Sequence, residues 1–176
     1  KIMKIYTKGG DKGTTFSPGI GRVVKYHCSV DAQGELDELN SWLAVASGSL
    51  PSRNRFVENL LDYQRDLMEI GAQLATGTIR LNKHKIKKME ECIDDMTSLL
   101  PPLDNFILPS YPAYVHVARS VCRRAERSIV SWRDKYQDCD QEKFKYVIEY
   151  LNRLSDYLFT LARFTNPDEV IWKSVL

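Results

Sequence analysis

The residues that could do chemistry fall into one glycine-rich run near the start and three polar stripes at helical spacing. The run reads Tyr6-Thr7-Lys8-Gly9-Gly10-Asp11-Lys12-Gly13-Thr14-Thr15. Glycines let backbone N–H groups converge on an anion, and Lys8, Lys12 and the threonines add donors. Its composition suits a phosphate cradle; a flexible arm would fit it as well. It is not a Walker A motif, because Gly-x-x-x-x-Gly-Lys-Ser/Thr is absent. Nor is it a dinucleotide fingerprint, since no βαβ pattern surrounds it.

The first stripe holds Asp37, Asn40 and Ser41, within Gly34-Glu35-Leu36-Asp37-Glu38-Leu39-Asn40-Ser41. Their i, i+3, i+4 spacing puts them on one helical face. A solvated face near a helix start would look the same. The second stripe is Arg119, Arg123, Glu126 and Arg127, with Arg124 alongside. Arginines at i, i+4 and i+8 repel by a few tenths of a kcal/mol per pair, so an anion should offset them. The planar fork of arginine suits phosphate or carboxylate. The third stripe is Asn152, Asp156 and Arg163, with Arg153 and Ser155 adjacent. Acidic residues of the first and third stripes could pair with the arginines of the second, or hold them for a ligand.

Other chemistries are disfavoured. Charges sum to +2, from 25 basic and 23 acidic residues, which is weak for a nucleic-acid binder. The basic run from Lys83 to Lys88 reads as a solvated helix face. Cys28, Cys92, Cys122 and Cys139 are scattered, so reduced thiols are expected rather than a zinc site. None of His27, His84 and His116 follows a glutamate by three residues, which argues against a di-metal carboxylate bundle. No Gly-x-Ser-x-Gly elbow is present. No run of about 18 apolar residues could span a membrane. No secretory or transit segment is visible. A cytoplasmic location is expected, or the mitochondrial matrix for a chain from which a leader has been removed.

The elements that must position these residues are helices. At 176 residues the chain has the length of one domain. Five of its nine glycines lie between Gly9 and Gly21, and Ile2, Ile5 and Tyr6 allow one short extended stretch; residues 1–30 therefore read as an arm. Residues 31–166 read as an all-α, five-helix up-and-down bundle. The first helix begins near Asp31 and stops at Gly48, and the second runs from about Ser52 to Ala75 with Gly77 as its stop. Asn82 caps the third, which Pro101 and Pro102 close. Residues 103–112 form a loop. The fourth helix runs from Ala113 to about Tyr136, and the fifth from Gln141 to about Phe164, ended by Pro167. Leu151, Leu154, Leu158 and Leu161 give the fifth a bundle seam.

Four segments together resemble the trimeric, helical-bundle ATP:cob(I)alamin adenosyltransferases. They are residues 6–15, Gly34 to Ser41, Ala118 to Arg127 (Ala-Arg-Ser-Val-Cys-Arg-Arg-Ala-Glu-Arg), and Tyr150 to Phe159 (Tyr-Leu-Asn-Arg-Leu-Ser-Asp-Tyr-Leu-Phe). Their order and spacing span nearly the whole chain.

The resemblance implies a homotrimer with ATP bound between subunits and clasped by the arm. Thr7, Lys8, Gly9 and Gly10 would hold the phosphates, with Thr15 and Phe16 near them, and Lys25 would take the family's basic position before Gly34. Arg123, Arg124, Ala125, Glu126, Arg127 and Asn152 would bind the nucleotide. Arg119 would pair with Asp37, Asn40 and Asp156 would give structural support, and Phe106 would cover the lower face of the corrin ring. The loop after Phe106-Ile107-Leu108-Pro109 is about three residues shorter than in the family. The implied reaction is transfer of the 5′-deoxyadenosyl group of ATP to cob(I)alamin, with Mg²⁺ on the phosphates and release of triphosphate. A reductase and an adenosylcobalamin-dependent acceptor enzyme are the implied partners. A catalytically silent ATP- or cobalamin-binding protein of the same fold is the alternative.

Overall fold

The computed structural model describes residues 4–51, 54–76, 81–135, 141–166 and 168–173, with the side chains of 141–143 left aside. Ile2, Ser52, Gly77, Tyr136, Cys139 and Pro167, named above, lie outside the described residues.

After the glycine-rich loop comes a small antiparallel hairpin, β1 (Thr14–Ser17) and β2 (Gly21–Val24), in which Phe16 faces Arg22 across the ladder. Among the described residues five helices follow: α1 (Cys28–Ser49), α2 (Arg55–Thr76), α3 (Lys83–Thr97), α4 (Ala113–Lys135) and α5 (Gln141–Thr165). Two short strands, β3 (Ile107–Leu108) and β4 (Val170–Ile171), pair antiparallel beside the bundle.

Helix starts are set by side chains that satisfy otherwise unpaired N–H groups. Asn54 Oδ1 accepts from the amides of Phe56 and Val57 at 3.0 and 3.1 Å. Asn82 Oδ1 accepts from His84 N at 3.0 Å, as the sequence suggests. The start of α1 differs from expectation: His27 Nδ1 accepts from Ser29 N at 3.2 Å, so the helix begins at Cys28 rather than near Asp31. Its end differs too. Gly48 stays helical, and the turn comes at Leu50, which is extended (φ −83°, ψ 136°) as a residue before proline prefers. The extended stretch expected at Ile5 and Tyr6 is not a strand; the glycine-rich segment itself supplies the hairpin.

In the bundle α1 packs against α2 and α4, and α5 against α4 and α3. The Leu151, Leu154, Leu158 and Leu161 seam read from the sequence lies in the core, with Leu36, Leu39 and Leu43 of α1, Leu60, Leu67 and Ile70 of α2, Met89 and Met96 of α3, and Ile129 of α4, all buried. A tyrosine cluster crosses the centre. The ring of Tyr63 meets that of Tyr157 edge-on at 4.8 Å, Tyr157 Oη donates to Phe56 O at 2.6 Å, and Tyr150 Oη donates to Asp66 Oδ2 at 2.9 Å. Burial pushes all three phenols well above the ordinary tyrosine range, so they stay neutral donors. Among the described residues no helix is long and apolar enough to cross a membrane.

Candidate active site

The arm is an ordered loop. Lys8 adopts a left-handed backbone (φ 60°), and the chain turns through Asp11 N to Lys8 O (3.4 Å) and Gly13 N to Gly10 O (3.2 Å). Thr7 Oγ1 accepts from Gly9 N at 3.4 Å. Arg22 Nη1 donates to Gly9 O and to Thr14 Oγ1, each at 3.0 Å, and so ties the glycine run to the hairpin. Lys25 N donates to Gly13 O at 2.9 Å, and the end of the Lys25 side chain packs so close to Gly10 that a Cβ there would lie 3.2 Å from it. Lys8, Lys12 and Lys25 are exposed around this loop, as is Phe16, while Thr15 is half-buried. Three cations and a curled, glycine-bearing backbone are suited to a polyphosphate. Arg22 is the organiser that the sequence pattern did not single out; its signal is its place opposite Phe16 in the hairpin.

The hairpin turn rests on the end of α2. Gly19 (φ +79°) lies against Ala75, whose carbonyl oxygen would be 2.4 Å from an added Cβ. Nearby, Pro18, Gln33, Asp37, Asn40 and Met68 line a cavity of about 300 Å³ at the α1–α2 seam. Asn40 holds that seam together: its Nδ2 donates to Gln64 O at 3.1 Å, and Gln64 Nε2 donates back to Asn40 Oδ1 at 2.9 Å.

On α4 the arginines divide by face. Arg124 turns to α1, where its Nε donates to Glu35 Oε2 at 2.6 Å and its Nη2 to Glu38 Oε2. These bonds raise the Arg124 pKa, and the one from Arg124 is the main cause that lowers that of Glu38. The pairing expected between Arg119 and Asp37 is not formed within the chain. Arg119 instead lies over the ring of Phe159, 5.4 Å from its centre, and Asp37 is exposed. Arg123 and Arg127 are exposed, with Arg127 Nη1 donating to Arg123 O at 3.1 Å. Behind them, next to buried Ala125, Asn152 Nδ2 of α5 donates to Glu126 Oε1 at 3.3 Å. Asp156, one turn on, lies 3.5 Å from Arg153 Nη1, and Arg153 Nε reaches Glu90 of α3 at 2.7 Å.

Phe106 projects from the loop before α4 and is 78% exposed. Its ring meets Trp172 edge-on at 6.3 Å, and its carbonyl accepts from Trp172 N at 2.8 Å.

The structure thus gathers Arg123, Glu126, Arg127 and Asn152 on the α4–α5 face, and Thr7 to Lys25 on the arm. Among the described residues no hydrogen bond or ion pair joins the arm to α4 or α5. Each half-site is able to take part of an anionic ligand, and the chain does not link the two through any of these bonds among its described residues.

A family model described as cobalamin adenosyltransferase matches residues 5–165. A corrinoid adenosyltransferase of Bacillus subtilis is 38% identical over 174 residues, covering 93% of this chain and 87% of its own. The human corrinoid adenosyltransferase MMAB is 38% identical over 183 residues, covering 96% of this chain and 71% of its own. Among solved structures, a variant PduO-type ATP:corrinoid adenosyltransferase from Lactobacillus reuteri, complexed with cobalamin and ATP, superposes with a TM-score of 0.84 at 32% identity. That alignment covers 97% of this chain and all of the other. With a family match across nearly its whole length and relatives of the same architecture, the chain belongs to the cobalamin adenosyltransferase family.

Proposed function

We propose that the protein transfers the 5′-deoxyadenosyl group of ATP to cob(I)alamin, forming adenosylcobalamin and releasing triphosphate. The observation that carries this is the match, over 97% of the chain, to a relative complexed with both cobalamin and ATP. The whole chain acts as one adenosyltransferase domain, with residues 1–30 as a clasp on the bundle at 31–166.

In the reaction the cobalt electron pair forms a bond to the ribose C5′ of ATP. The C5′–O bond breaks, and its electrons leave with triphosphate. No proton need move at the reacting carbon, which fits a site without an acid–base dyad. The protein's task is to orient the two substrates and to stabilise a leaving group of roughly four negative charges. Orientation of this kind is worth about 7–11 kcal/mol. Thr7, Lys8, Gly9 and Gly10 hold the phosphates, with Thr15, Phe16 and Lys25 around them. Arg123 and Arg127 supply charge from α4, Asn152 fixes Glu126, and Arg124 braces α4 against α1. Phe106 presents an apolar wall to the lower face of the corrin, keeping an axial ligand off cobalt.

Among the described residues no cluster of three or more His, Cys, Asp or Glu side chains could cage a metal. A Mg²⁺ that arrives on the ATP phosphates and keeps most of its water needs no such cage, and a hydroxyl of the arm such as that of Thr7 would supply one ligand.

The chain works as a homotrimer with ATP between subunits. Two observations support this: among the described residues no hydrogen bond or ion pair joins the arm to the α4–α5 face, and Val45, Leu61, Met68, Tyr114 and Val117 leave apolar surface exposed on α1, α2 and α4. Asp37 and Arg119 are then free to pair across the interface. A reductase supplies cob(I)alamin and an adenosylcobalamin-dependent enzyme takes the product. Free thiols at Cys28, Cys92 and Cys122 suit a reducing compartment, the cytoplasm or the mitochondrial matrix.

Phosphorus NMR of the reaction products is the test. Triphosphate formed in step with adenosylcobalamin supports the transfer. Cobalamin and ATP bound with neither product formed supports the silent binding protein instead.

A further inference from the structure

The loop from Pro101 to Pro112 carries Phe106 and contains only two residues of strand, so its position depends on what holds it from outside. The end of α5 and the residues after it do this at several points. Arg163, in the last turn of α5, is buried with 6% exposure. Its Nη2 donates to Pro101 O at 2.9 Å, and its Nε donates to Glu169 Oε1. Asn166 Nδ2 donates to Tyr111 O at 3.2 Å. Beyond Glu169 the chain pairs as β4 with β3, Leu108 opposite Val170 and Ile107 opposite Ile171, and Trp172 N donates to Phe106 O.

Two strands of two residues each have little stability of their own. A buried guanidinium, by contrast, is costly unless its donors are matched, and removing its counter-charge leaves it uncompensated. The Arg163–Glu169 pair, with the Pro101 carbonyl as second acceptor, is therefore the strong point of the clasp. It sets the start of the Phe106 loop and the start of the strand that grips Phe106 in one geometry.

We propose that Arg163 is a positioning residue for Phe106. By holding Pro101 and Glu169 at once, it keeps the C-terminal strand on the loop and Phe106 at the corrin face. This rests on the proposed role of Phe106, because Arg163 itself touches neither substrate.

The test uses the full chain and the variants Glu169→Gln, Arg163→Lys and Trp172→Ala, each alone and on a Phe106→Ala background. Glu169→Gln keeps the shape of the segment and leaves the core intact, so it remains informative if an Arg163 variant folds poorly. Loss of the charge-assisted contact should lower kcat/KM for cob(I)alamin about tenfold, while KM for ATP stays within about twofold. Glu169→Gln should add less than about twofold on the Phe106→Ala background, since both changes act through one ring. Arg163→Lys, which keeps the charge and loses the fork, should fall between wild type and Glu169→Gln. Amide exchange over residues 106–108 and 170–172 should quicken in Glu169→Gln and Trp172→Ala. Effects that multiply on the Phe106→Ala background, or an equal loss for ATP, would make Arg163 merely structural and overturn the proposal. If wild type makes no adenosylcobalamin, the proposed function fails separately. Exchange then decides whether the clasp exists: unchanged protection in Glu169→Gln and Trp172→Ala overturns it.

Discussion

Replacing Gly19 by alanine should detach the arm from the bundle and weaken ATP use selectively. Gly19 has φ +79°, and an added Cβ would lie 2.4 Å from Ala75 O, about 1 Å inside ordinary contact. Neither partner yields easily. Ala75 is in the last turn of α2, and its carbonyl cannot recede without unwinding that end. The two-stranded hairpin is the weaker body, so the turn lifts. Gly21→Ala is the matched control: φ is +100° and nothing lies within 4 Å of the new Cβ. It incurs backbone strain alone, about 1–2 kcal/mol. Gly19→Ala adds the collision to a similar strain. Lifting the turn moves Lys8 to Lys25 away from the nucleotide and leaves the Phe106 loop untouched. KM for ATP should then rise about tenfold above that of Gly21→Ala, equivalent to about 1.4 kcal/mol, while KM for cob(I)alamin changes less than about twofold. The assay is steady-state adenosylation with each substrate varied, beside thermal melts. The melts should agree within about 4 °C, since the core is unaltered and 1 kcal/mol moves Tm about 2–4 °C at this size. Equal ATP constants in the two variants would refute the argument that contact with α2 positions the arm.

Other perturbations probe separate parts of the account. Arg123→Ala should lower kcat/KM for ATP about 100-fold with an unchanged helical spectrum, if this exposed charge stabilises the departing phosphates as proposed; near-normal turnover would contradict its place in the site. Tyr157→Phe deletes the 2.6 Å bond to the Phe56 carbonyl and should cost about 1 kcal/mol, seen as a Tm lower by about 2–4 °C; an unmoved Tm would show that the bond adds nothing. His116 has its pKa held below the ordinary 6.5, first by burial and then by Arg119. The unfolded chain therefore takes up this proton first, and stability falls as pH drops below about 6.5. Denaturant midpoints should show a shallower acid loss in His116→Asn, and an unaltered pH dependence would remove His116 as the cause.

The helices were legible because each buries a seam that recurs at helical spacing, as Leu151 to Leu161 does in α5. Asn82 gave the start of α3 for a local reason, the reach of its own side chain to the next turn. What was not legible depended on distant partners. β3 and β4 are two residues each and meet across the whole of α4 and α5, so neither has a pattern of its own. Within the chain, the ion pairing of α4 depends on which of two neighbouring arginines turns toward α1. Arg119, Arg123 and Arg127 share a face, while Arg124 lies about 100° round the helix from Arg123. Only packing shows that α1 faces Arg124, and Glu35 and Glu38 take it. The composition of the arm suggested its chemistry, but its curl rests on Arg22 reaching back to Gly9 and Thr14. Of the four motifs, the single chain joins those of α1, α4 and α5 through Arg124 with Glu35 and Glu38 and through Asn152 with Glu126, while among the described residues no hydrogen bond or ion pair ties the arm to α4 or α5.

The central claim is tested most directly by the visible spectrum of an anaerobic mixture of the purified protein, MgATP and chemically reduced cob(I)alamin. The account predicts loss of the cob(I)alamin band and growth of a light-sensitive adenosylcobalamin spectrum that requires both protein and ATP. A cob(I)alamin band that persists while ATP is bound would contradict it.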